Sequence, residues 1–265
     1  MKNVLITGVS GGMGYATLKE LIKDGYEVYG LDIKPVDEFD HFHFYQTDIT
    51  SEESIINSFD RIKEDAKSLD YIIHLAGIYD LNSLIEIEEK DFKRIFDINV
   101  NGVYRINKAF ISILNKKGKI IITTSELAPL DPLPFTGIYA ISKAALDKYA
   151  YSLRMELQLL DYQVVVIRPG AVKTELINVS TDKLEKFNKS TTHYSYNAKR
   201  FKEIVDKVEA KTIPPEKIAK LIKKILPKKK AKYVYNINRN PLLRMLNILP
   251  RRLQNHIIKR VIQKK

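Results

Sequence analysis

Short runs of β-branched and aromatic residues alternate along this chain with longer segments whose apolar residues recur every three or four positions. The runs fall at residues 3–7, 26–32, 41–45, 71–77, 119–125, 163–170 and 232–237; helical segments fill the gaps between the first six at 11–23, 52–67, 88–114 and 139–160. A period of two taking turns with a period of 3.6 marks strand–helix–strand units, which join parallel strands by right-handed crossovers. The runs are almost wholly apolar, as strands are when helices cover both faces of a sheet. The expected fold is therefore α/β, a doubly wound parallel seven-stranded sheet. At 265 residues and 45% hydrophobic side chains, the chain suits a single domain. One long irregular stretch, 174–212, follows the sixth run at the carboxyl edge where such sheets bind ligands, and it is read as a mobile substrate lid.

The chain has no cysteine, which excludes disulfides, thiolate nucleophiles and cysteine-held metals and leaves the cytoplasm as the expected location. The five histidines, at 41, 43, 74, 193 and 256, have no spacing suited to a metal, and none is expected. No apolar run approaches the roughly 18 residues of a membrane span, and the N-terminus, a strand running straight into a glycine turn, reads as carrying no secretory leader. The net charge of +12 is unevenly placed: residues 199–265 hold 21 Lys and Arg against 4 Asp and Glu, and the remainder 23 against 28. Any basic partner surface therefore belongs to the C-terminal quarter.

The segment from Thr7 to Gly14, Thr-Gly-Val-Ser-Gly-Gly-Met-Gly, follows the first run and opens the first helix. Glycines there remove Cβ atoms, so backbone N–H groups and the helix N-terminus can approach a pyrophosphate. Gly8, Ser10, Gly12, Met13 and Gly14 are the candidate contacts. Asp32 ends the second run, 18 residues after Gly14, where a carboxylate can accept hydrogen bonds from ribose hydroxyls. A 2′-phosphate would meet a like charge there, at a cost of about 1–4 kcal/mol, which favours NAD over NADP. Lys34 softens the preference, because a basic side chain could reach such a phosphate.

Tyr139 and Lys143 are four apart on one helix and share a face. A free phenol has a pKa of about 10, and lowering it to neutrality takes about 4 kcal/mol. One ammonium about 4 Å away at an effective dielectric near 20 supplies about that much. Together with Ser125 at the end of the fifth run and Asn99 in the 88–114 segment, the pattern resembles the short-chain dehydrogenase/reductase family over residues 3 to 176. The order Thr7, Gly8, Gly12, Gly14 and the stretch Arg168-Pro169-Gly170-Ala171-Val172-Lys173-Thr174 resemble its compact branch. Gly11 also permits the glycine spacing of the extended, epimerase-like branch.

The resemblance implies a Rossmann-type fold and a catalytic set of Asn99, Ser125, Tyr139 and Lys143. Tyr139 would be the general acid or base, Lys143 would lower its pKa and hold the nicotinamide ribose, Ser125 would bind the substrate oxygen, and Asn99 would anchor a water of the proton relay. It further implies adenine contacts at Asp48 and Ile49, ribose contacts at Ala76 and Gly77, and nicotinamide contacts around Pro169, Gly170, Val172 and Thr174. A homodimer or homotetramer is also implied. Two departures stand out. His74-Leu75-Ala76-Gly77 replaces the family's frequent Asn-Asn-Ala-Gly. The interval from Ser125 to Tyr139 is one residue longer than usual, which makes Thr124 a second candidate hydroxyl.

The tail divides from the dinucleotide-binding domain, 1–238, as a basic amphipathic extension, 239–265. Leu253, Ile257, Ile258, Val261 and Ile262 form one stripe of its last helix, opposite Arg251, Arg252, Lys259, Arg260 and Lys264. It can pack over the substrate cleft or a dimer seam, or attach to an anionic membrane surface. Without interleaved aromatics, no nucleic acid is expected. The expected function is hydride transfer between a nicotinamide cofactor and an apolar or lipid-like secondary alcohol or ketone. The alternatives are a dinucleotide-binding scaffold or redox sensor without turnover, and an extended-branch epimerase.

Overall fold

The computed structural model describes residues 1–174, 184–209 and 212–263. Its strands are β1 (Lys2–Thr7), β2 (Tyr26–Asp32), β3 (Phe42–Gln46), β4 (Leu69–His74), β5 (Leu114–Thr123), β6 (Gln163–Pro169) and β7 (Val234–Ile237). They form one sheet in the order β3-β2-β1-β4-β5-β6-β7, and every neighbouring pair is parallel. The chain steps outward from β1 to β3 and then crosses back to lay β4 beside β1. At that switch point the connections leave in opposite directions, and a crevice opens at the carboxyl ends of the strands.

The helices α1 (Gly12–Ile22), α2 (Glu52–Ala66), α3 (Glu89–Phe96), α4 (Gly102–Phe110) and α5 (Gly137–Leu157) connect these strands. Beyond β6 come a helical segment at 184–190 (α6), α7 (Ser195–Glu209), α8 (Glu216–Ile225), and after β7 the pair α9 (Pro241–Ile248) and α10 (Arg251–Ile262). Alternate residues of the central strands feed two cores. Leu5, Ile72, Ile120 and Ile122 face Phe110 and Leu146 on one side, while Val4, Ile6, Ile73 and Ile121 face Leu18 and Ile222 on the other. Both faces are dry, which is why the strand sequences show no polar alternation.

Local signals fix the ends. Ser51 caps α2 by accepting from Ser54 N–H at 3.2 Å, with Glu52 and Glu53 in the first turn. Asn240 caps α9, accepting from Leu242 N–H at 2.9 Å, with Pro241 at the first helical position. The buried Lys119 of β5 donates to the carbonyls of Ile225, Leu226 and Lys228 at 2.8–2.9 Å and so closes the C-terminus of α8.

Three expectations are corrected. The 174–212 stretch is not irregular where it is described: α6 and most of α7 occupy it, because Ala198, Phe201, Ile204 and Val205 keep a helical spacing among many polar residues. Residues 175–183 and 210–211 of that stretch lie outside the described part. The 88–114 segment is not one helix, since a π-helical turn at Asp97–Asn101 separates α3 from α4. β4 stops at His74, which frees Leu75, Ala76 and Gly77 to shape the crevice.

A third apolar cluster of Leu81, Leu184, Phe187, Ala198, Phe201 and Ile262 seats α6, α7 and α10 above the carboxyl edge. Phe135 lies at its centre, with ring contacts of 5.0–5.4 Å to Phe187, Tyr194 and Phe201.

Candidate active site

The glycine turn after β1 is built by close approach. Gly8 has φ +73°, and a Cβ there would lie 2.5 Å from Ala76 N; one on Gly14 would lie 2.0 Å from the Gly8 carbonyl oxygen. A Cβ on Gly12 would stand 2.8 Å from Thr174 Cγ2, so the turn is pressed between the loop after β4 and the segment after β6. Asp32 at the end of β2 holds the turn from the other side. Its Oδ2 accepts from Ser10 N–H at 3.0 Å and its Oδ1 from Lys34 N–H at 3.2 Å. This cradle fits the adenosine and pyrophosphate of a dinucleotide: backbone donors stand at a helix N-terminus, and Gly8, Gly12 and Gly14 put no Cβ into the turn. Asp48 and Ile49 are placed less directly. The Asp48 carboxylate turns back to Thr50 N–H at 2.8 Å and Thr50 Oγ at 2.7 Å, and the Ile49 side chain is buried against Gly102.

Tyr139 lies in the first turn of α5 and Lys143 one turn further on. Ser125 is the hydroxyl that acts on the Tyr139 phenol and favours its ionised form, whereas Thr124 donates to Asp147 at 3.2 Å. The turns of the 126–136 loop take up the extra residue, so Ser125 is the hydroxyl brought to the phenol. Asp147 is itself held by Arg168, through bonds of 2.9 and 2.6 Å that tie α5 to β6. Lys143 Nζ donates to the Thr123 carbonyl at 3.4 Å and lies 5.9 Å from the Tyr139 ring centre.

Asn99 sits in the π-helical turn and is fully buried. Its Oδ1 accepts from Ile78 N–H at 2.8 Å, and its Nδ2 donates to the Ile78 carbonyl and Ser142 Oγ at 3.0 and 3.1 Å. Both amide hydrogens are therefore committed, and the visible work of the side chain is to fix the loop at Ile78 against α5. A π-turn of this kind re-aims one residue inside a helix, which periodicity along the sequence does not reveal. Gly77 lets that loop close: a Cβ there would lie 3.0 Å from Asn99 Oδ1 and 3.3 Å from Lys143 Nζ.

Burial pushes the Tyr139 phenol up to about 12, with Ser125 pulling against it and the charge of Glu126 adding to it. Burial brings the Lys143 ammonium down to about 8. The expected lowering of the phenol by this lysine is thus reversed among the protein's own groups. Both groups sit on the same dry floor, and the ammonium points at a carbonyl oxygen rather than the phenol.

A cavity of about 600 Å³ adjoins this floor. Met13, Gly77, Ser125, Tyr139, Lys143, Pro169, Gly170, Val172 and Thr174 line it, and Phe201, Ile204, Leu243, Leu246, Ile258 and Ile262 roof it from α7, α9 and α10. The tail is therefore packed over the cleft. Two lining residues escaped the sequence reading. Tyr79 packs edge-on to Tyr139 at 4.5 Å between ring centres. Glu126 is only 8% exposed and receives the Asn240 N–H at 2.7 Å. An acidic residue directly after Ser125 was the available signal.

Fold and site together define a dinucleotide-dependent oxidoreductase, in which a glycine cradle and a buried phenol share one sheet edge. The profile of the short chain dehydrogenase family matches residues 2–185, and the chain belongs to that family. It is similar to the 3-ketodihydrosphingosine reductase of Bacteroides thetaiotaomicron, 26% identical over 228 residues that make up 85% of this chain and 84% of the relative. An NADPH-dependent 1-acyldihydroxyacetone phosphate reductase of Schizosaccharomyces pombe is 32% identical over 66% of this chain, which spans 61% of that relative's length. Among solved structures, a short chain dehydrogenase family protein from Francisella tularensis superposes with a TM-score of 0.75 at 25% identity, covering 89% of this chain and 96% of the other.

Proposed function

We propose that this chain interconverts a ketone and a secondary alcohol on an apolar, lipid-like substrate, with NAD preferred and Tyr139 carrying the proton. The observation that carries this reading is the meeting of the Tyr139–Ser125 pair with a largely apolar roof over one cavity. The two reductases above, both named for lipid-like ketones, support the substrate class. When bound, the nicotinamide supplies or accepts the hydride.

In the reducing direction Tyr139 gives its proton to the carbonyl oxygen while the Ser125 hydroxyl donates a second hydrogen bond to it. A phenol held near pKa 12 is fully protonated at neutral pH, which suits the acid role. Lys143 places a positive charge under the developing phenolate and faces the space beside Gly77 where a ribose would lie. Asn99 keeps that loop in register. The glycine turn binds the pyrophosphate, Ala76 and Gly77 border the ribose, and Pro169, Gly170, Val172 and Thr174 border the nicotinamide. Asp48 and the backbone of Ile49 bound the adenine. Asp32 favours an unphosphorylated ribose because a second anion would face its carboxylate.

The test follows NADH and NADPH oxidation over straight-chain ketones of increasing length. The rate constant kcat/KM is expected to rise about fourfold per methylene until the cavity is filled, and Tyr139→Phe is expected to lower kcat at least ~100-fold while NADH still binds. Dinucleotide binding with no turnover of any ketone or alcohol would support the scaffold or sensor reading.

The tail supports a further partner. On α9, Met245 and Ile248 are 65% and 81% exposed and do not line the cavity, while Arg244, Arg251 and Arg252 flank them in a tail with no acidic residue after Glu216. Such a face suits the surface of an anionic membrane on the cytoplasmic side. Met245→Ser with Ile248→Ser is expected to lower binding to anionic vesicles; unchanged binding would remove this partner. The exposed Tyr151, Met155, Leu159 and Leu160 along and just beyond α5 support a homodimer or homotetramer seam.

A further inference from the structure

Glu126 is the one carboxylate lining the cavity among the described residues. Its Oε2 accepts the Asn240 N–H at 2.7 Å, and among the described residues no donor is bonded to its Oε1. Gly170 leaves room at Oε1, since a Cβ there would lie 2.9 Å from it. Burial raises the affinity of Glu126 for a proton, against the Asn240 N–H and the charge of Arg239, which is near enough to act but forms no ion pair with it. Across the cavity the other titratable groups among the described residues are Tyr79, Tyr139 and Lys143; Lys143 points at Thr123. The carboxylate is thus desolvated and half-satisfied, a costly arrangement for the protein alone.

Its position decides what could complete it. Ser125, Glu126 and Tyr139 line one cavity, and both Ser125 and the charge of Glu126 act on the phenol, so a carbonyl reduced at this pair lies near Glu126. A substituent on the carbon next to that carbonyl would face Oε1, while the rest of a long chain would run under the apolar roof of Phe201, Leu246 and Ile258.

We propose that Glu126 is a specificity-determining residue that binds a protonated amine on the carbon adjacent to the reacting carbonyl, so that the preferred substrate is a long-chain 2-amino ketone or the corresponding amino alcohol. The inference rests on the reading of the site as a ketone reductase and deepens it. A charge-assisted hydrogen bond in a dry cavity discriminates strongly, because a neutral substrate leaves the buried carboxylate without its partner.

The test compares, on the wild-type protein, a long-chain 2-amino-3-ketone, its N-acetyl derivative and the 3-ketone of equal length lacking nitrogen. The amine is expected to lead both neutral compounds in kcat/KM by about 10- to 100-fold. In Glu126→Gln, whose amide oxygen can still accept the Asn240 N–H, that ratio is expected to collapse towards one, mainly through a higher KM for the amine. Equal turnover of all three by the wild type would overturn the inference while leaving ketone reduction standing. An amine preference that survives in Glu126→Gln would also overturn it, reducing Glu126 to an anchor for α9. Turnover of none of the three would remove both the inference and the reading beneath it.

Discussion

The ammonium of Lys143 lies 5.9 Å from the ring centre of Tyr139, yet its hydrogen bond goes to the Thr123 carbonyl, and burial acts on the two groups in opposite senses. The phenol is pushed up to about 12 and the ammonium down to about 8. Ketone reduction needs the phenol protonated and the ammonium charged. Its kcat/KM is therefore expected to be flat below pH 8 and to fall as pH rises through the lysine's value. Alcohol oxidation, which needs the phenolate, is expected to climb with pH over the same range. Parallel pH profiles in the two directions would contradict this assignment.

The glycine turn leaves no room for a side chain at Gly8 or Gly14. Gly14→Ala places a Cβ 2.0 Å from the Gly8 carbonyl oxygen, so α1 or the turn must shift. The expected result is a loss of about 1–3 kcal/mol in stability and of NADH binding, read by denaturant unfolding and by fluorescence titration. Gly25→Ala is the control: no atom lies within 4 Å of a Cβ there, although its φ of +79° carries a smaller backbone cost.

His74 is buried, with Nε2 bonded to Asn107 Oδ1 at 2.8 Å and Nδ1 without a partner. Burial drops its pKa from 6.5 to about 4, with Asn107 opposing, so the folded protein keeps it neutral while the unfolded chain charges. Its contribution is intact above pH 6.5 and is lost as pH falls from there towards 4, with a limit of about 3 kcal/mol. Unfolding midpoints measured across that window are expected to fall more steeply for the wild type than for His74→Gln.

Glu86 joins the loop after β4 to the turn between α6 and α7. Its carboxylate accepts from Thr191 Oγ at 2.7 Å, Thr192 N–H and Oγ at 2.9 Å, and His193 N–H at 3.0 Å. Desolvation works to raise its pKa, but these donors overcome it and hold the group at about 2. The stabilisation is present above pH 4.5 and fades as pH falls towards 2. Glu86→Gln is expected to speed amide exchange in α6 and α7 at neutral pH, with the difference from wild type shrinking in acid. Equal protection at pH 7 would show that the third apolar cluster alone seats these helices.

Sequence by itself was enough for the parallel sheet, the glycine turn and the Tyr139–Lys143 face, because each depends on residues close together in the chain. Strand burial shows in runs such as Lys119–Thr123, the turn in glycines at fixed offsets, and the Tyr139–Lys143 pair in a four-residue spacing on one helix. Tertiary structure alone decided that Ser125 rather than Thr124 meets the phenol, that Asn99 is turned inward by a π-helical turn, and that α9 and α10 roof the cavity. Those outcomes depend on contacts between segments far apart, such as Glu126 with Asn240 and Phe135 with Phe201, and on the desolvation such packing imposes. The reversed pKa of Tyr139 has the same origin: a spacing of four places a charge nearby, but only the packed floor determines how little water remains between them.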